Sequence, residues 1–300
     1  MEISVFGYLG GGVRVVDDYV ATLAALRDEG FARYWTAQLP RDPDLLTVLA
    51  IGLREVPGIE VGTGVVPVQP QHPMALAQRA LLVNQIGGGR LTLGLGLSHK
   101  PVVEGMWGQS FDRPVRRMSQ VLDGLLPLLA GEKAAAEGDL VTTRGALAIE
   151  APAPPVYLAA LGPQMLRLAG RRTAGTVTWM TGPRTLAEHA VPTIRGAAEE
   201  AGRTVRVVAS LPVAVTDDRD GARAEAARQF AVYGQLPSYR AMLDREGYAG
   251  PADAAIVGDE TEVAERIAAL REAGVDEYVA LPFSPDPEER ARTRALLRTL

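Results

Sequence analysis

Short runs of β-branched and other apolar residues recur along the whole chain, each followed by an amphipathic stretch. In this alternation a predicted helix joins each predicted strand to the next, which is the connection that parallel strands need. Eight such units in 300 residues favour a closed (β/α)8 barrel, or TIM barrel, over an open doubly wound sheet. The predicted strands are 2–7, 31–35, 59–64, 91–97, 156–160, 176–180, 205–211 and 276–281. The helices predicted in the second half are 162–171, 183–202, 217–232, 259–273 and 286–299.

Two segments exceed what the eight units need. Residues 98–155 carry a predicted helix near 113–130 and a predicted hairpin in EGDLVTTRGALAI, and residues 233–257 are bounded by proline and glycine. Neither segment has the composition of a linker. We therefore predict a single barrel domain over residues 1–300, with insertions after the fourth strand and before the last strand–helix unit.

The composition argues against several classes of function. The net charge of −5 and the lack of a basic cluster argue against nucleic acid as a partner. Cysteine is absent and the histidines, His72, His99 and His189, are scattered, so no metal site is expected. We interpret His72, which precedes Pro73, and His189 as structural or surface residues. No apolar run is long enough to cross a bilayer and no signal segment is evident, which predicts a cytoplasmic protein.

The glycines in FGYLGGGV (6–13) raise the alternative of a dinucleotide-binding sheet. Their spacing does not match Gly-x-Gly-x-x-Gly, and the second predicted strand ends in WTAQ and not in an acidic residue. In a barrel, the same glycines form a loop at the carboxyl ends of the strands, where barrel active sites lie. The residues at these ends include no paired carboxylates and no Ser-His-Asp order, which favours a cofactor with its own reactivity.

The stretch VYLAALGPQM (156–165) has two interpretations. An apolar run breaks at Gly162-Pro163 and continues as a predicted helix, so the backbone N–H groups of the helix start can bind a phosphate. An ordinary connection between a strand and a helix has the same pattern. The stretch alone does not separate a phosphate-binding turn from a simple connection.

Five segments together resemble the luciferase-like monooxygenase superfamily, and more narrowly its bacterial branch of oxidoreductases dependent on coenzyme F-420, an 8-hydroxy-5-deazaflavin. The resemblance extends over nearly the whole chain, in order, and it implies the (β/α)8 barrel fold. The segments are GTGVVP (62–67), GGRLTLGLGLSHKPVVEGMWG (88–108), PPVYLAALGPQMLRLAG (154–170), TVTWMTGPRTL (176–186) and IVGDETEVAERIAALREAGVDEYVA (256–280).

The resemblance implies where the coenzyme binds. GTGVVP is expected to form a bulge that backs the deazaflavin ring, with a cis peptide bond between Gly64 and Val65. The backbone of 159–165 is expected to bind the phosphate-bearing tail, and Trp179 to pack near the ring or the tail. The residues expected to bind the coenzyme are Thr63, Gly64, Val65, Gly96, Leu97, Ser98, His99, Ala159, Ala160, Leu161, Gly162, Pro163, Gln164, Met165 and Trp179.

The implied reaction is hydride transfer between C5 of the deazaflavin and a small organic substrate. Relatives that oxidise alcohols carry acid–base residues after the second strand. Here Gln38, a candidate catalytic residue, lies nearest to that place; it can hydrogen-bond but cannot take a proton. We therefore expect reduction of an activated C=C or C=N bond, with a proton from His99, Tyr8 or water. The residues expected to line the substrate pocket are Trp35, Trp107 and Phe283.

Three other functions remain open. One is an FMN-dependent monooxygenase of the same fold, and the second is a cofactor-binding protein without catalysis, suggested by the missing acid–base pair. The third is a sugar-phosphate isomerase or aldolase, which is disfavoured because no lysine for a Schiff base ends a predicted strand. The resemblance further implies a homodimer.

Overall fold

The computed structural model describes residues 1–300. Its strands are β1 (Glu2–Phe6), β2 (Arg33–Thr36), β3 (Glu60–Thr63), β4 (Val66–Pro67), β5 (Leu91–Gly96), β6 (Ala134–Ala136), β7 (Thr143–Gly145), β8 (Val156–Ala159), β9 (Gly175–Trp179), β10 (Arg206–Val215), β11 (Ile256–Gly258) and β12 (Glu277–Pro282). Its helices are α1 (Val15–Asp28), α2 (Leu45–Glu55), α3 (Pro73–Ile86), α4 (Lys100–Gly105), α5 (Pro114–Leu129), α6 (Pro163–Arg172), α7 (Pro183–Thr185), α8 (Val191–Glu200), α9 (Arg219–Gln229), α10 (Pro237–Glu246), α11 (Pro251–Ala254), α12 (Glu260–Glu272) and α13 (Pro287–Leu297). A π-helical turn, Leu186–Ala190, joins α7 to α8, and a 3-10 turn, Ala231–Gly234, precedes α10.

The main sheet follows the chain through eight strands, namely β1, β2, β3, β5, β8, β9, β10 and β12. Strand β12 pairs in parallel with β1, from Glu277 opposite Glu2 to Ala280 opposite Val5, so the order closes on itself. This is the strand order of a (β/α)8 barrel. It confirms the predicted fold class and all eight predicted strands. Strands β4 and β11 add short pairings to β5 and β10.

Residues 8–159 form one compact unit. Within it, β2 pairs with β3, β3 with β5, and β5 with β8, all in parallel. Helix α2 shows how the sequence sets an element here: the Asp44 carboxylate caps its start by accepting from the Thr47 N–H at 2.9 Å. The Arg90 guanidinium donates to the carbonyl oxygen of Leu53 (2.5 Å) in the last turn of α2 and to that of Ile59 (2.6 Å) beyond it. These bonds fix the connection from α2 to β3.

Residues 1–7 and 160–300 form the second compact unit. Strands β9 and β12 both pair in parallel with β10, and β12 pairs with β1. Helix α12 begins with a capping box, in which the Asp259 carboxylate accepts from the Glu262 N–H at 3.0 Å and the Glu262 carboxylate accepts from the Asp259 N–H at 3.1 Å. A buried pair at the start of the strands, Ser4 Oγ donating to Glu277 Oε1 at 2.7 Å, links β1 to β12.

The details differ from the predictions in three places. Strand β10 runs on to Val215, because the apolar run continues beyond the predicted end at 211. The helix predicted over 183–202 is interrupted by the π-helical turn. The hairpin pairs β6 with β7, so its first strand precedes EGDL, which forms the turn. The carboxylate of Asp139 in that turn accepts from Arg116 and Gln120 and so attaches the hairpin to α5.

Strand β3 lies so close to β5 that only glycine fits at position 94. The Thr63 hydroxyl donates to the Gly94 carbonyl oxygen at 2.8 Å and accepts from the Gly94 N–H at 2.7 Å. A Cβ atom at position 94 would overlap the Thr63 carbonyl oxygen. Because that oxygen belongs to the backbone, a side chain at 94 would displace one of the two strands.

We expect the substitution Gly94→Ala to lower the free energy of unfolding by about 2 kcal/mol, through overpacking in the sheet. The matched control is Gly196→Ala on the exposed surface of α8, where an added Cβ meets no atom within 4 Å. That control should raise the free energy of unfolding by about 0.5–1 kcal/mol, because alanine favours a helix interior over glycine. Urea unfolding of both variants measures the difference, and equal stabilities would contradict the close contact between β3 and β5.

Candidate active site

The chain after β3 forms the bulge expected from the sequence. The peptide bond between Gly64 and Val65 is cis, as predicted. The Gly64 N–H donates to the Thr36 carbonyl oxygen at 2.8 Å, and the Val65 carbonyl oxygen accepts from the Gln38 N–H at 3.2 Å. The bulge is therefore bonded on both sides to the end of β2. That it backs the ring of a coenzyme stays a prediction.

Three of the predicted coenzyme-binding residues meet at this bulge. An added Cβ at Gly96 would overlap the Val65 side chain and would lie 3.5 Å from the Ala159 Cβ. The half-exposed residues Val65 and Ala159 thus both lie against Gly96, at the ends of β5 and β8. The hydroxyl of Thr63 is fully buried and bonded to Gly94. Thr63 therefore supports the bulge from within the protein, and its side chain offers no surface to a ligand.

Residues Leu97, Ser98 and His99 follow β5 and are half-buried. Ser98 adopts the left-handed backbone conformation, with φ of +56°, which turns the chain sharply into α4. Burial lowers the pKa of the His99 imidazole below its usual range, because the charged form loses hydration. At neutral pH the ring is therefore neutral. It can donate a hydrogen bond, but it becomes an acid with a full charge only under acidic conditions.

The side chain of Gln38, one of the predicted catalytic residues, is engaged in hydrogen bonds to the backbone. Its amide donates to the carbonyl oxygens of Leu39 and Pro43, both at 3.0 Å, and its oxygen accepts from the Leu45 N–H at 2.6 Å. These bonds hold the loop between β2 and α2 and occupy both ends of the amide. By contrast, Tyr8, the third predicted catalytic residue, is 39% exposed.

Two of the three residues predicted to line a substrate pocket belong to the core. Trp35 is 1% exposed, lies over Gly62 and meets Tyr157 edge-on at 6.4 Å between ring centroids. Phe283 is 5% exposed and packs edge-on against Phe230 at 5.7 Å. Both side chains therefore pack in the core, against a neighbouring aromatic ring or glycine, and their place in a substrate pocket stays a prediction. Trp107 is half-buried after α4, so its prediction stands.

Trp179, at the end of β9, is the centre of an aromatic cluster that the sequence did not reveal. Phe6 stacks on its indole at 6.1 Å, and Phe230 and Tyr233 meet it edge-on at 5.9 and 5.7 Å. The indole Nε1 is buried and has no acceptor. Phe230 and Tyr233 come from the segment before α10, and no periodicity in that segment indicated which side chains face inward.

The turn after β8 leaves the start of a helix open. We call residues 161–165 the Leu161 turn. Gly162 immediately precedes α6, no side chain caps this helix, and residues 162–164 are exposed. An added Cβ at Gly162 would meet no atom within 4 Å. The N–H groups of Gln164 and Met165 in the first helical turn are therefore available, with the positive end of the helix dipole, to an anion.

The helix start after β9 is closed in comparison. The Glu246 carboxylate at the end of α10 accepts from the N–H groups of Arg184 at 3.0 Å and Thr185 at 2.6 Å. Gly182 gives that carboxylate room, because a Cβ there would overlap it. An internal anion thus already occupies the place that a phosphate would take at α7. Sequence analysis missed Glu246, which lies 61 residues from Thr185 in the chain.

His72 has the structural role expected of it. Its Nδ1 accepts from the Met74 N–H at 3.2 Å at the start of α3, and its Nε2 bonds the Thr142 carbonyl oxygen at 2.9 Å.

No group of three or more histidine, aspartate or glutamate side chains is placed to hold a metal ion. None of the helices combines the length and the apolar character that a membrane span requires.

Comparison with known proteins gives the family. The family model described as luciferase-like monooxygenase matches residues 3–277. The chain belongs to this family. Among its relatives, a 5,10-methylenetetrahydromethanopterin reductase from Methanolobus tindarius is 31% identical over 243 residues, which cover 80% of this chain and 74% of the relative. The sequence resemblance is thereby confirmed.

Solved structures of luciferase-like proteins share the fold. A coenzyme F-420-dependent tetrahydromethanopterin reductase from Methanopyrus kandleri superposes with a TM-score of 0.81 at 22% identity, covering 99% of this chain and 96% of that one. The oxygenating component of 3,6-diketocamphane monooxygenase from Pseudomonas putida, in complex with FMN, has a TM-score of 0.78 at 20% identity, covering 99% and 97%. The same fold is thus found with either coenzyme.

We expect the imidazole of His99 to titrate below pH 6.5, the ordinary value for a histidine, because the buried ring resists the charge. Two-dimensional NMR of the three histidine rings measures this, and loss of one signal in His99→Gln assigns it. The unfolded chain binds this proton more strongly, so lowering the pH below about 6.5 should also favour unfolding. A His99 titration at or above pH 6.5 would contradict the burial.

Proposed function

We propose that this protein is an oxidoreductase dependent on coenzyme F-420 that reduces an activated C=C or C=N bond of a small organic substrate. The observation that carries the proposal is the open helix start at Gly162, where no side chain caps α6. Support also comes from the relatives, one of which is a reductase at 31% identity and another a putative coenzyme F-420-dependent oxidoreductase of Mycobacterium tuberculosis at 28%.

Residues of the Leu161 turn suit the phosphate-bearing tail of such a coenzyme. Gly162 carries no side chain, and the N–H groups of Gln164 and Met165 have no capping acceptor. A negatively charged phosphate at a helix start gains from both the N–H groups and the dipole. Glu246 already fills the start of α7, whereas the start of α6 has no such internal anion.

The bulge at Gly64 and Val65 suits the deazaflavin ring of the coenzyme. Gly64 and Val65 are half-exposed, and Val65 and Ala159 both lie against Gly96. This surface is apolar and built on bonded strands, so it can support one face of a planar ring and exclude water from it. When bound, coenzyme F-420 supplies a carbon, C5, that donates or accepts a hydride.

The side chains available favour reduction over oxidation of an alcohol. Alcohol oxidation requires a base to take the hydroxyl proton, and the amide of Gln38 is neither a base nor free. Reduction of a polarised double bond needs only a proton source. Tyr8, which is exposed, His99 and water can each fill this role, and His99 does so as a charged acid only at acidic pH because burial lowers its pKa.

An FMN-dependent monooxygenase is the second candidate. The specific observation in its favour is the superposition on the FMN complex of the Pseudomonas putida enzyme. FMN also carries a phosphate, so the Leu161 turn fits both coenzymes. A non-catalytic coenzyme-binding protein is the third candidate.

A single domain over residues 1–300, a homodimer and a cytoplasmic location stay predictions of the sequence.

The deciding experiment is a pair of titrations of the purified protein, with oxidised F-420 and with FMN, followed by the absorbance and fluorescence of each. Saturable binding of F-420 with negligible binding of FMN is the expected result. Turnover of reduced F-420 with a panel of enones and imines then tests catalysis. Preference for FMN together with oxygen consumption would select the monooxygenase, and binding without turnover would favour the non-catalytic protein.

A substitution at Gly162 tests the phosphate-binding role of the turn. In Gly162→Asp, the backbone already has the extended conformation of a helix-capping residue, so the new carboxylate should cap α6. It would compete with the phosphate for the same N–H groups and repel it. We expect the Kd for F-420 to rise at least about tenfold, the equivalent of about 1.4 kcal/mol, while thermal stability is kept.

The matched variants separate charge from size. Gly162→Ala adds a methyl group into open space and supplies no acceptor, so it should weaken binding far less than aspartate. Gly162→Asn caps the helix without a charge and should be intermediate. If Gly162→Asp binds F-420 as tightly as the wild-type protein does, the start of α6 is not the phosphate site.

A further inference from the structure

His189 lies in the π-helical turn between α7 and α8 and is half-buried. Its Nε2 is 2.8 Å from the carbonyl oxygen of Leu161. Because a carbonyl oxygen only accepts, Nε2 carries the proton of this hydrogen bond. The ring therefore bonds the first residue of the Leu161 turn, which lies 28 residues earlier in the chain.

The packing of α6 on α8 makes this bond possible. A Cβ at Gly170 of α6 would overlap the carbonyl oxygen of Ile194 in α8 and lie 3.1 Å from the Cβ of Ala197, so the two helices touch through a glycine. A π-helical turn inserts one additional residue into a helix, and such turns are frequent at functional sites. Here the turn precedes α8 directly and brings His189 to Leu161.

Holding the Leu161 carbonyl oxygen also fixes the peptide group that follows. This peptide bond is trans, so its C=O and the N–H of Gly162 point in opposite directions. The bond to His189 therefore turns the Gly162 N–H away from the histidine. A hydrogen bond accepted by the C=O also polarises the peptide group and strengthens its N–H as a donor.

We infer that His189 is a positioning residue for anion binding: by holding the Leu161 carbonyl, it orients the Gly162 N–H as a further donor beside those of Gln164 and Met165. This inference rests on the proposed function, since the anion is the phosphate of the coenzyme. His189 itself does not contact the phosphate. A histidine that only stabilises the fold would not affect binding, whereas the hydrogen bond of His189 fixes the direction of an N–H group that binds the anion.

The chain offers a matched control in His72. Its Nε2 also bonds a backbone carbonyl oxygen, that of Thr142, at 2.9 Å. That bond lies in residues 8–159 and touches no residue of the Leu161 turn. Asparagine is too short to keep either of these hydrogen bonds. Replacing His72 or His189 by asparagine therefore removes one comparable hydrogen bond in each case. Replacing His189 by glutamine keeps an N–H donor near the position of Nε2.

The experiment measures the Kd for F-420 by fluorescence, the thermal unfolding of the unliganded protein, and the amide hydrogen exchange of residues 162–166 without ligand. We expect His189→Asn to raise the Kd about tenfold and to speed exchange in this segment. His189→Gln should recover most of the affinity. His72→Asn should lower the unfolding temperature as His189→Asn does, yet leave the Kd within about twofold of the wild-type value.

Three results would overturn the inference. The first is a wild-type Kd in His189→Asn. The second is an equal rise of the Kd in both asparagine variants, which would show a general loosening of the protein. The third, which also applies if the asparagine variant does not fold, is a loss of affinity in His189→Gln with unchanged hydrogen exchange at Gly162. Failure of the wild-type protein to bind F-420 would instead overturn the proposed function, and this inference with it.

Discussion

The candidate site depends on how closely two backbone segments approach each other. The end of β3 lies against β5 at a distance that only glycine permits at position 94, and the Thr63 hydroxyl bonds both backbone groups of that glycine. The bulge at Gly64 and Val65 starts from this contact and is bonded on its other side to β2. The surface offered to a coenzyme is thus mostly backbone, fixed by strands, and needs few ionisable side chains.

In residues 160–300 the backbone again provides the candidate binding groups, here the N–H groups at the starts of two helices. The helices that follow β8 and β9 both begin after a glycine and with a proline, yet they differ in what caps them. Glu246 supplies an internal anion to the helix after β9, whereas the helix after β8 has no side-chain cap. A glycine at the N-cap costs only a few tenths of a kcal/mol relative to a capping side chain, and a bound phosphate can offset this loss.

Much of the fold was readable from the sequence, because apolar runs of strand length recur between helical periods. The cis bond came from the family resemblance, since nothing in the composition of GTGVVP requires it. The burial of Trp35 and Phe283 was not predicted, because a residue at a strand end can face the core or a cavity, and the sequence does not fix which. The roles of Gln38, Glu246 and His189 depend on hydrogen bonds to particular backbone groups, and for Glu246 and His189 these are distant in the chain.

The central claim is that the backbone at the start of α6 binds the phosphate of the coenzyme. A crystal structure of the complex with F-420 tests it most directly. The account predicts phosphate oxygens about 3 Å from the N–H groups of Gln164 and Met165, with Glu246 still bonded to Arg184 and Thr185. A phosphate at the start of α7, with the Glu246 carboxylate displaced, would contradict it.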